Sequence, residues 1–339
     1  MKTKHSSAVT AKEAASRSPA ADRSSHRTGH RTDPSSGPSS GPSSSRTSSR
    51  GVGQASRGPS RRGFRPPVAL TIAGFDPSSG AGITADLKTF AAHGIYGAAC
   101  ISALTAQSTR EVRAVKPIEG AWVRQTLECL GRDLTFSGIK IGMLGSAAVV
   151  REAARFVASA AERQRIVLDP VLRSSSGRAL IDREGLRVLC SELLPVVGWI
   201  TPNLDELAIL CRLSRVRRQE APAAAAKLQK MAAALGNPSL HVVVTGGQLA
   251  RPDDFLLTGE GKGIWIGGQR VRTRATHGTG CAFSSALLCR LIAGDQAERA
   301  VAHAKAYVAA ALGAAVPVGH GRGPMHHLFA LEPFEKKTV

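Results

Sequence analysis

From residue 66 onward, short apolar runs alternate with longer segments of helical period. The strand-like runs cover residues 68–72, 98–104, 138–143, 165–168, 199–201 and 240–244. They are apolar at nearly every position and bounded by turn residues, the pattern of strands buried on both faces of a sheet. Between them, residues 83–92, 122–134, 147–161, 184–194 and 221–235 space their apolar side chains as helices do. Such alternation predicts an α/β fold with a mostly parallel central sheet and helices on both faces. After Gln248 the pattern changes. Residues 255–257, a Gly-rich turn and residues 263–266 predict an antiparallel hairpin at the sheet's far edge, and residues 270–274 predict a further strand. Two apolar helices follow, over 281–292 and 297–314. The pattern gives one domain over about 66–331 and a short C-terminal tail over 332–339.

Residues 1–65 are Ser, Arg, Gly and Pro with almost no large apolar side chain, so they cannot bury enough surface to offset their ordering entropy. This stretch reads as a disordered tail. It carries 13 Lys or Arg against 3 Asp or Glu, half of the chain's net charge of +20. The folded part is therefore only mildly basic, as suits an enzyme of phosphorylated ligands among other proteins. The tail's arginines could meet the phosphates of a nucleic acid, but Phe64 is its only aromatic, so base stacking is poorly served and a nucleic-acid partner is disfavoured. Its acid-poor composition also fits a transit peptide, although no amphipathic helix is visible. Gly37-Pro38-Ser39-Ser40-Gly41 matches the G-x-S-x-G nucleophile pattern but lacks the strand and helix that motif requires. Cys100, Cys129, Cys190, Cys211, Cys281 and Cys289 show no CxxC spacing, which suits reduced thiols in a cytoplasm. No apolar run reaches the length of a membrane span, and the N-terminus has no apolar signal region.

In a sheet of this kind, ligands bind beyond the carboxyl ends of the strands. Polar residues and glycines gather at those ends: Gly74-Phe75-Asp76-Pro77, Gln107, Met143, Asp169, Asn203 with Asp205-Glu206, and Thr245-Gly246-Gly247-Gln248. Any one of them is an ordinary turn; six together predict a cleft. The sharpest motif is Thr276-His277-Gly278-Thr279-Gly280-Cys281-Ala282, which opens an apolar helix. Glycines there leave backbone N–H groups free to face an anion, and the helix dipole adds positive potential. A second glycine-rich turn, Gly74 to Gly82, follows the first strand. The chain has no GxxxxGK[ST] loop, no HExxH and no Cys/His set with zinc spacing.

These segments resemble the hydroxymethylpyrimidine/phosphomethylpyrimidine kinases of the ribokinase-like class. Ala69-Leu70-Thr71-Ile72-Ala73-Gly74, Asp76-Pro77-Ser78, Gly80-Ala81-Gly82-Ile83 and Ala85-Asp86-Leu87-Lys88-Thr89-Phe90 carry the resemblance. So do Thr105-Ala106-Gln107-Ser108-Thr109, Lys140-Ile141-Gly142-Met143-Leu144, Val167-Leu168-Asp169-Pro170-Val171, Ile200-Thr201-Pro202-Asn203-Leu204, the His-Gly-Thr-Gly-Cys run and Gly319 to His327. The resemblance implies a ribokinase-like kinase that uses ATP and Mg²⁺ on an aminopyrimidine alcohol and then on its monophosphate. It implies that Gln107 binds the ring, with Gly74, Asp76, Ala81, Met143 and Val171 around it. Gly278, Thr279 and Gly280 would form the anion hole and Cys281 would be the base, its thiol pKa lowered from about 8.5 by the helix N-terminus. Asn203, Glu206, Thr245, Gly247 and Lys305 would face the nucleotide, and Asp169 and Glu206 would reach Mg²⁺ through water. Relatives are commonly homodimers. The chain ends soon after the last motif, so no fused thiamine-phosphate synthase is expected.

One departure stands out. Many relatives carry a lysine where this chain has Thr245, before Gly246-Gly247. Another cation must then replace it, or nucleotide affinity falls. The nearest alternative function is a pyridoxal kinase, since the same fold and similar motifs accept that ring. The alternative of a different class is a nucleic-acid binder that uses the tail.

Overall fold

The computed structural model describes residues 65–159, 162–174, 177–247 and 249–331. The tail expectations for 1–64, the G-x-S-x-G match, the 332–339 tail, Gln248 and the end of the 147–161 helix lie outside the described residues.

Six parallel strands form the middle of the sheet. β1 (Val68–Phe75) has six consecutive buried residues, as a strand covered on both faces must. It pairs in parallel with β2 (Tyr96–Gln107) on one side and with β4 (Gly138–Ile141) on the other. β5 (Ile166–Leu168), β6 (Trp199–Ile200) and β7 (His241–Val244) continue outward from β4. Connections from β1 run one way to β2, and the next parallel strand, β4, lies on its other side. The carboxyl ends of β1 and β4 therefore flank a switch point, where a crevice opens.

Both edges are antiparallel. The predicted hairpin is β8 (Asp254–Leu257) and β9 (Gly263–Ile266), paired beyond β7. At the opposite edge β3 (Val112–Pro117) pairs with the second half of β2, an element the apolar pattern did not show. Its residues Val112-Arg113-Ala114-Val115-Lys116 are half-buried or exposed, so it lacks the continuous apolar signal of the buried strands. The expected strand over 270–274 is absent. Three arginines flank Val271 and Thr273 there, no strand pairs with the segment, and Arg270 instead donates to the Leu249 carbonyl.

Side-chain alternation splits the core into two layers. Leu70, Ile72, Ile139 and Ile141 face α2 (Gly120–Asp133), α3 (Ala147–Ser159) and α6 (Ala221–Ala234). Ala69, Val167, Trp199 and Val243 face α1 (Gly82–Ala92), α7 (Thr279–Ile292) and α8 (Ala297–Gly313). The expected helix over 184–194 is α4 (Arg183–Val188), which widens over Leu189–Leu193 and tightens over Leu194–Val196. Pro195 lacks the N–H that a continued α-helix needs. A short helix not foreseen, α5 (Leu204–Leu210), starts at Asn203 with a full capping box: Asn203 Oδ1 accepts from the Glu206 N–H, and Glu206 Oε2 from the Asn203 N–H. Among the described residues no helix is long and apolar enough to cross a membrane.

Candidate active site

The loop after β1 is organised by Asp76. Its carboxylate accepts from Ser78 N–H and Oγ at 2.8 and 2.7 Å, and from the Gly80 and Ala81 N–H groups at 3.2 and 2.9 Å. Asp76 Oδ2 also lies 2.7 Å from His277 Nε2. Burial works against the charge on Asp76, but hydrogen bonds from His277 and Ser78 hold its pKa below the usual carboxylate value. Lys88 on α1 secures the same loop by donating to Ser79 O at 2.8 Å, at a residue with φ of 62°. The loop is thus closed on itself, with its backbone fixed before any ligand arrives.

The glycine turn before α7 presses on this loop. Gly278 has φ of 79°, and a Cβ there would stand 1.9 Å from the Gly80 carbonyl oxygen. Only glycine satisfies both the left-handed backbone and that approach. Among the described residues no side chain caps this turn, so the first N–H groups of α7 lack a capping partner, as suits a helix start that meets an anion.

Around the crevice, Met143 packs on Gly74: a Cβ on Gly74 would stand 3.1 Å from its sulfur. Met143 also joins Ala103 and Leu180 in a small apolar cluster that Val171 and Val115 flank. Gln107, at the end of β2, places its amide nitrogen 3.0 Å from His277 Nε2. A ring N–H that donates to Asp76 leaves no lone pair for that amide, so the Gln107 amide nitrogen keeps its N–H groups for another partner, while its Oε1 accepts from Thr105 Oγ1 at 3.3 Å. The expected ring-binding set of Gly74, Asp76, Ala81, Gln107, Met143 and Val171 thus gathers on one side of the crevice. His277 belongs with it and was not foreseen as more than a motif member; only its place before Gly278 signalled it.

Cys281 sits in the first turn of α7. Its thiol donates to the Asp169 carboxylate and accepts from the Gly82 N–H. Burial pushes the thiol pKa up to about 12, against the pull of Lys140. The expected lowering by the helix N-terminus does not appear, because loss of water outweighs a half-charge of dipole. Asp169 follows β5 and accepts from Ser284 Oγ at 3.3 Å. Burial raises its pKa, again against Lys140. Glu206 is pushed up to about 8, first by burial and then by Asp169. Two hidden carboxylates that disfavour each other's charge make a site suited to a cation. Among the described residues no group of three such ligands could hold a metal alone.

The nucleotide-side expectations converge less. Thr245 follows β7 and bridges in parallel to Asn203, so those two lie together. Gly247 is exposed nearby. Lys305 is committed elsewhere: its ammonium pairs with Asp254 Oδ2 at 2.8 Å and donates to the Pro252 carbonyl. The cation beside Thr245 is Arg218, which lines one small cavity with Thr245, Gly246 and Trp265. Arg218 lies 4.2 Å over the Trp265 ring and pairs with Asp253 at 2.8 Å.

The chain carrying these two glycine turns is matched in known proteins along most of its length. The phosphomethylpyrimidine kinase family pattern matches residues 76–326. The chain belongs to the phosphomethylpyrimidine kinase family. It is 38% identical over 267 residues to the hydroxymethylpyrimidine/phosphomethylpyrimidine kinase of Rhizobium meliloti (strain 1021), across 77% of this chain and 96% of that one. Among solved structures it resembles the ADP complex of Bacillus subtilis pyridoxal kinase, with a TM-score of 0.66 and 30% identity over 78% of this chain and 98% of that one. It also resembles the phosphomethylpyrimidine kinase of Clostridium difficile 630, with a TM-score of 0.59 and 29% identity over 71% and 97%. The expected fold and family membership are thereby established.

Proposed function

We propose that this chain transfers the γ-phosphoryl group of ATP to the hydroxymethyl oxygen of 4-amino-5-hydroxymethyl-2-methylpyrimidine, and then a second one to the resulting monophosphate. The product is the pyrophosphate used for thiamine. The observation that supports the reading is the close approach of the Gly278 turn to the Gly80 carbonyl, with Gln107 reaching His277 of the same turn, Met143 packed on Gly74 and flanked by Val171, and Cys281 in the first turn of the helix that follows. In each transfer the acceptor oxygen bonds to the γ-phosphorus and the bond to the departing ADP oxygen breaks. The backbone N–H groups of residues 278–280 face the charge on the phosphoryl group in flight. In the first transfer the alcohol proton passes to Cys281 Sγ while the thiol's own proton moves along its hydrogen bond to Asp169. Asp169 and Glu206 fit a hydrated Mg²⁺ held through water, which when bound supplies positive charge to the nucleotide phosphates. Asn203, Thr245 and Gly247 face the nucleotide, while Lys305 supports the neighbouring loop through Asp254. We take residues 66–331 as the catalytic unit, acting in the cytoplasm, with a homodimer as its assembly.

Gln107→Leu tests the ring assignment. Leucine keeps the bulk but cannot pair with the ring amino group and nitrogen, which would cost about 1–3 kcal/mol. Calorimetry is expected to show pyrimidine binding weakened about 10- to 100-fold with ATP binding unchanged. Equal pyrimidine affinity in both proteins would exclude Gln107 as the ring's partner.

A further inference from the structure

Lys140 and Asp86 form an ion pair that solvent does not reach: both side chains have 0% exposure. Lys140 Nζ lies 2.9 Å from Asp86 Oδ2. The carboxylate also accepts from Thr71 Oγ1 at 2.6 Å and from Ser285 Oγ at 2.8 Å. Asp86 is therefore well supplied with donors. Lys140 is not equally supplied with acceptors. An ammonium has three N–H groups, and among the described residues Asp86 is its one hydrogen-bond partner.

Such a pair is poor evidence for a stabilising role, because desolvating two charges offsets most of their attraction. An apolar pair of the same volume commonly does as well. The position suggests a different use. Lys140 lies on β4, at the switch point, one residue before Ile141-Gly142-Met143. A Cβ on Gly142 would stand 2.7 Å from its Nζ, so the ammonium sits against the backbone that leads into the crevice. Ser285, which shares Asp86, is one helical turn beyond Cys281 on α7, so the pair underlies the anion turn. The acids Asp86, Asp169 and Glu206 are all buried in this region, and Lys140 is the one buried Lys or Arg among the described residues. Burial opposes its charge, but Asp86, Cys281 and Asp169 together hold its pKa above the ordinary lysine value, so it stays an ammonium.

We propose that Lys140, clamped by Asp86, is a positioning residue of the phosphoryl-transfer site: the positive end of a fixed interior ion pair that opposes, from beneath the α7 turn, the negative charge gathering there in the transition state. Asp86 cancels the net charge of the pair, so its effect is that of a local dipole, but a dipole fixed in a low-dielectric interior needs no reorganisation and is screened less than one at the surface. It favours the transition state over the bound ground state, so it raises kcat and leaves KM nearly alone. Its partner Asp86 keeps the ammonium from swinging toward the ligand. The inference rests on the phosphoryl-transfer reading, but not on which alcohol is the acceptor.

The test uses the full chain and two variants, Lys140→Met and the double variant Lys140→Met with Asp86→Asn. The double variant removes both charges, keeps the volume and leaves no lone buried carboxylate. The parent is first assayed with ATP on hydroxymethylpyrimidine, its monophosphate and pyridoxal, and the variants on whichever acceptor the parent uses best. A parent that uses only pyridoxal overturns the pyrimidine reading and leaves the Lys140 experiment standing. The expected result is a double variant with a melting temperature at or near the parent's, kcat lowered about 10- to 1000-fold, and both KM values within about two-fold. A folded double variant with parental kcat would overturn the inference. So would an equal loss spread into KM, or unfolding of both variants, since the pair would then be structural.

Discussion

Cys281 combines two properties that pull apart. Its place at the start of α7 suits a group that meets the attacking alcohol, yet burial holds its thiol protonated with a pKa of about 12. A protonated thiol is no base by itself. Its hydrogen bond to Asp169, whose own pKa burial raises, gives the proton somewhere to go. Replacing Cys281 with Ala is expected to lower kcat by ~10²–10⁴ while the circular-dichroism spectrum and melting temperature stay close to the parent's. Near-parental turnover in the folded variant would reduce Cys281 to a packing residue. Thr245 poses a different question. It brings no charge, and Arg218, which lines the same small cavity, is shared between Asp253 and the Trp265 ring. Since Asp253 already neutralises Arg218, a Thr245→Lys ammonium meets little repulsion and gains charge-assisted bonds to phosphate. The expected outcome is a few-fold lower KM for ATP at matched ionic strength. A higher KM would show that Arg218 already serves the phosphates.

At the scale of elements, the parts that read clearly from the sequence are those whose burial is two-sided. β1 and β4 to β7 read as short, mostly apolar runs because both faces are covered, with Thr71, Lys140 and His241 the polar interruptions. β3 did not, because one edge strand of Val112-Arg113-Ala114-Val115-Lys116 resembles a loop by composition. α5 escaped because Asn203 and Glu206 look like site residues, and the capping box they form spans only seven helical residues. The Arg270–Arg274 segment misled in the other sense: its alternation is real, but no neighbouring strand accepts it. For the site, the two glycine motifs were legible because a close backbone approach excludes side chains. The Asp76–His277–Gln107 contact and the Lys140–Asp86 pair were not, since each joins residues 30 or more positions apart. The anion turn offers the element-scale test. Gly278→Ala demands a left-handed alanine and a Cβ within 1.9 Å of Gly80 O, so the turn must move away from the Asp76 loop. The expected result is a kcat loss of about 100-fold or more with the sheet intact, as for loss of an oxyanion-hole donor. A variant of parental kcat would place the anion site elsewhere.

For the whole molecule, charge and chemistry separate along the chain. Half of the +20 net charge lies in residues 1–65, while every residue assigned to the site lies between Gly74 and Lys305. A chain begun at residue 65 is therefore expected to keep the parent's kcat and its ranking of acceptors, measured side by side. The fold alone does not choose the acceptor ring, since solved relatives of similar shape include both a pyridoxal kinase and a phosphomethylpyrimidine kinase. In the proposed reading, Gln107, Met143 and Val171 would make that choice. The measurement that meets this most directly is ATP turnover by the purified full chain with hydroxymethylpyrimidine, hydroxymethylpyrimidine monophosphate and pyridoxal, each as sole acceptor in Mg²⁺ buffer. The account predicts that both pyrimidines are phosphorylated, the alcohol to its monophosphate and the monophosphate to its pyrophosphate, with higher kcat/KM than pyridoxal. Turnover of pyridoxal with neither pyrimidine accepted would contradict it.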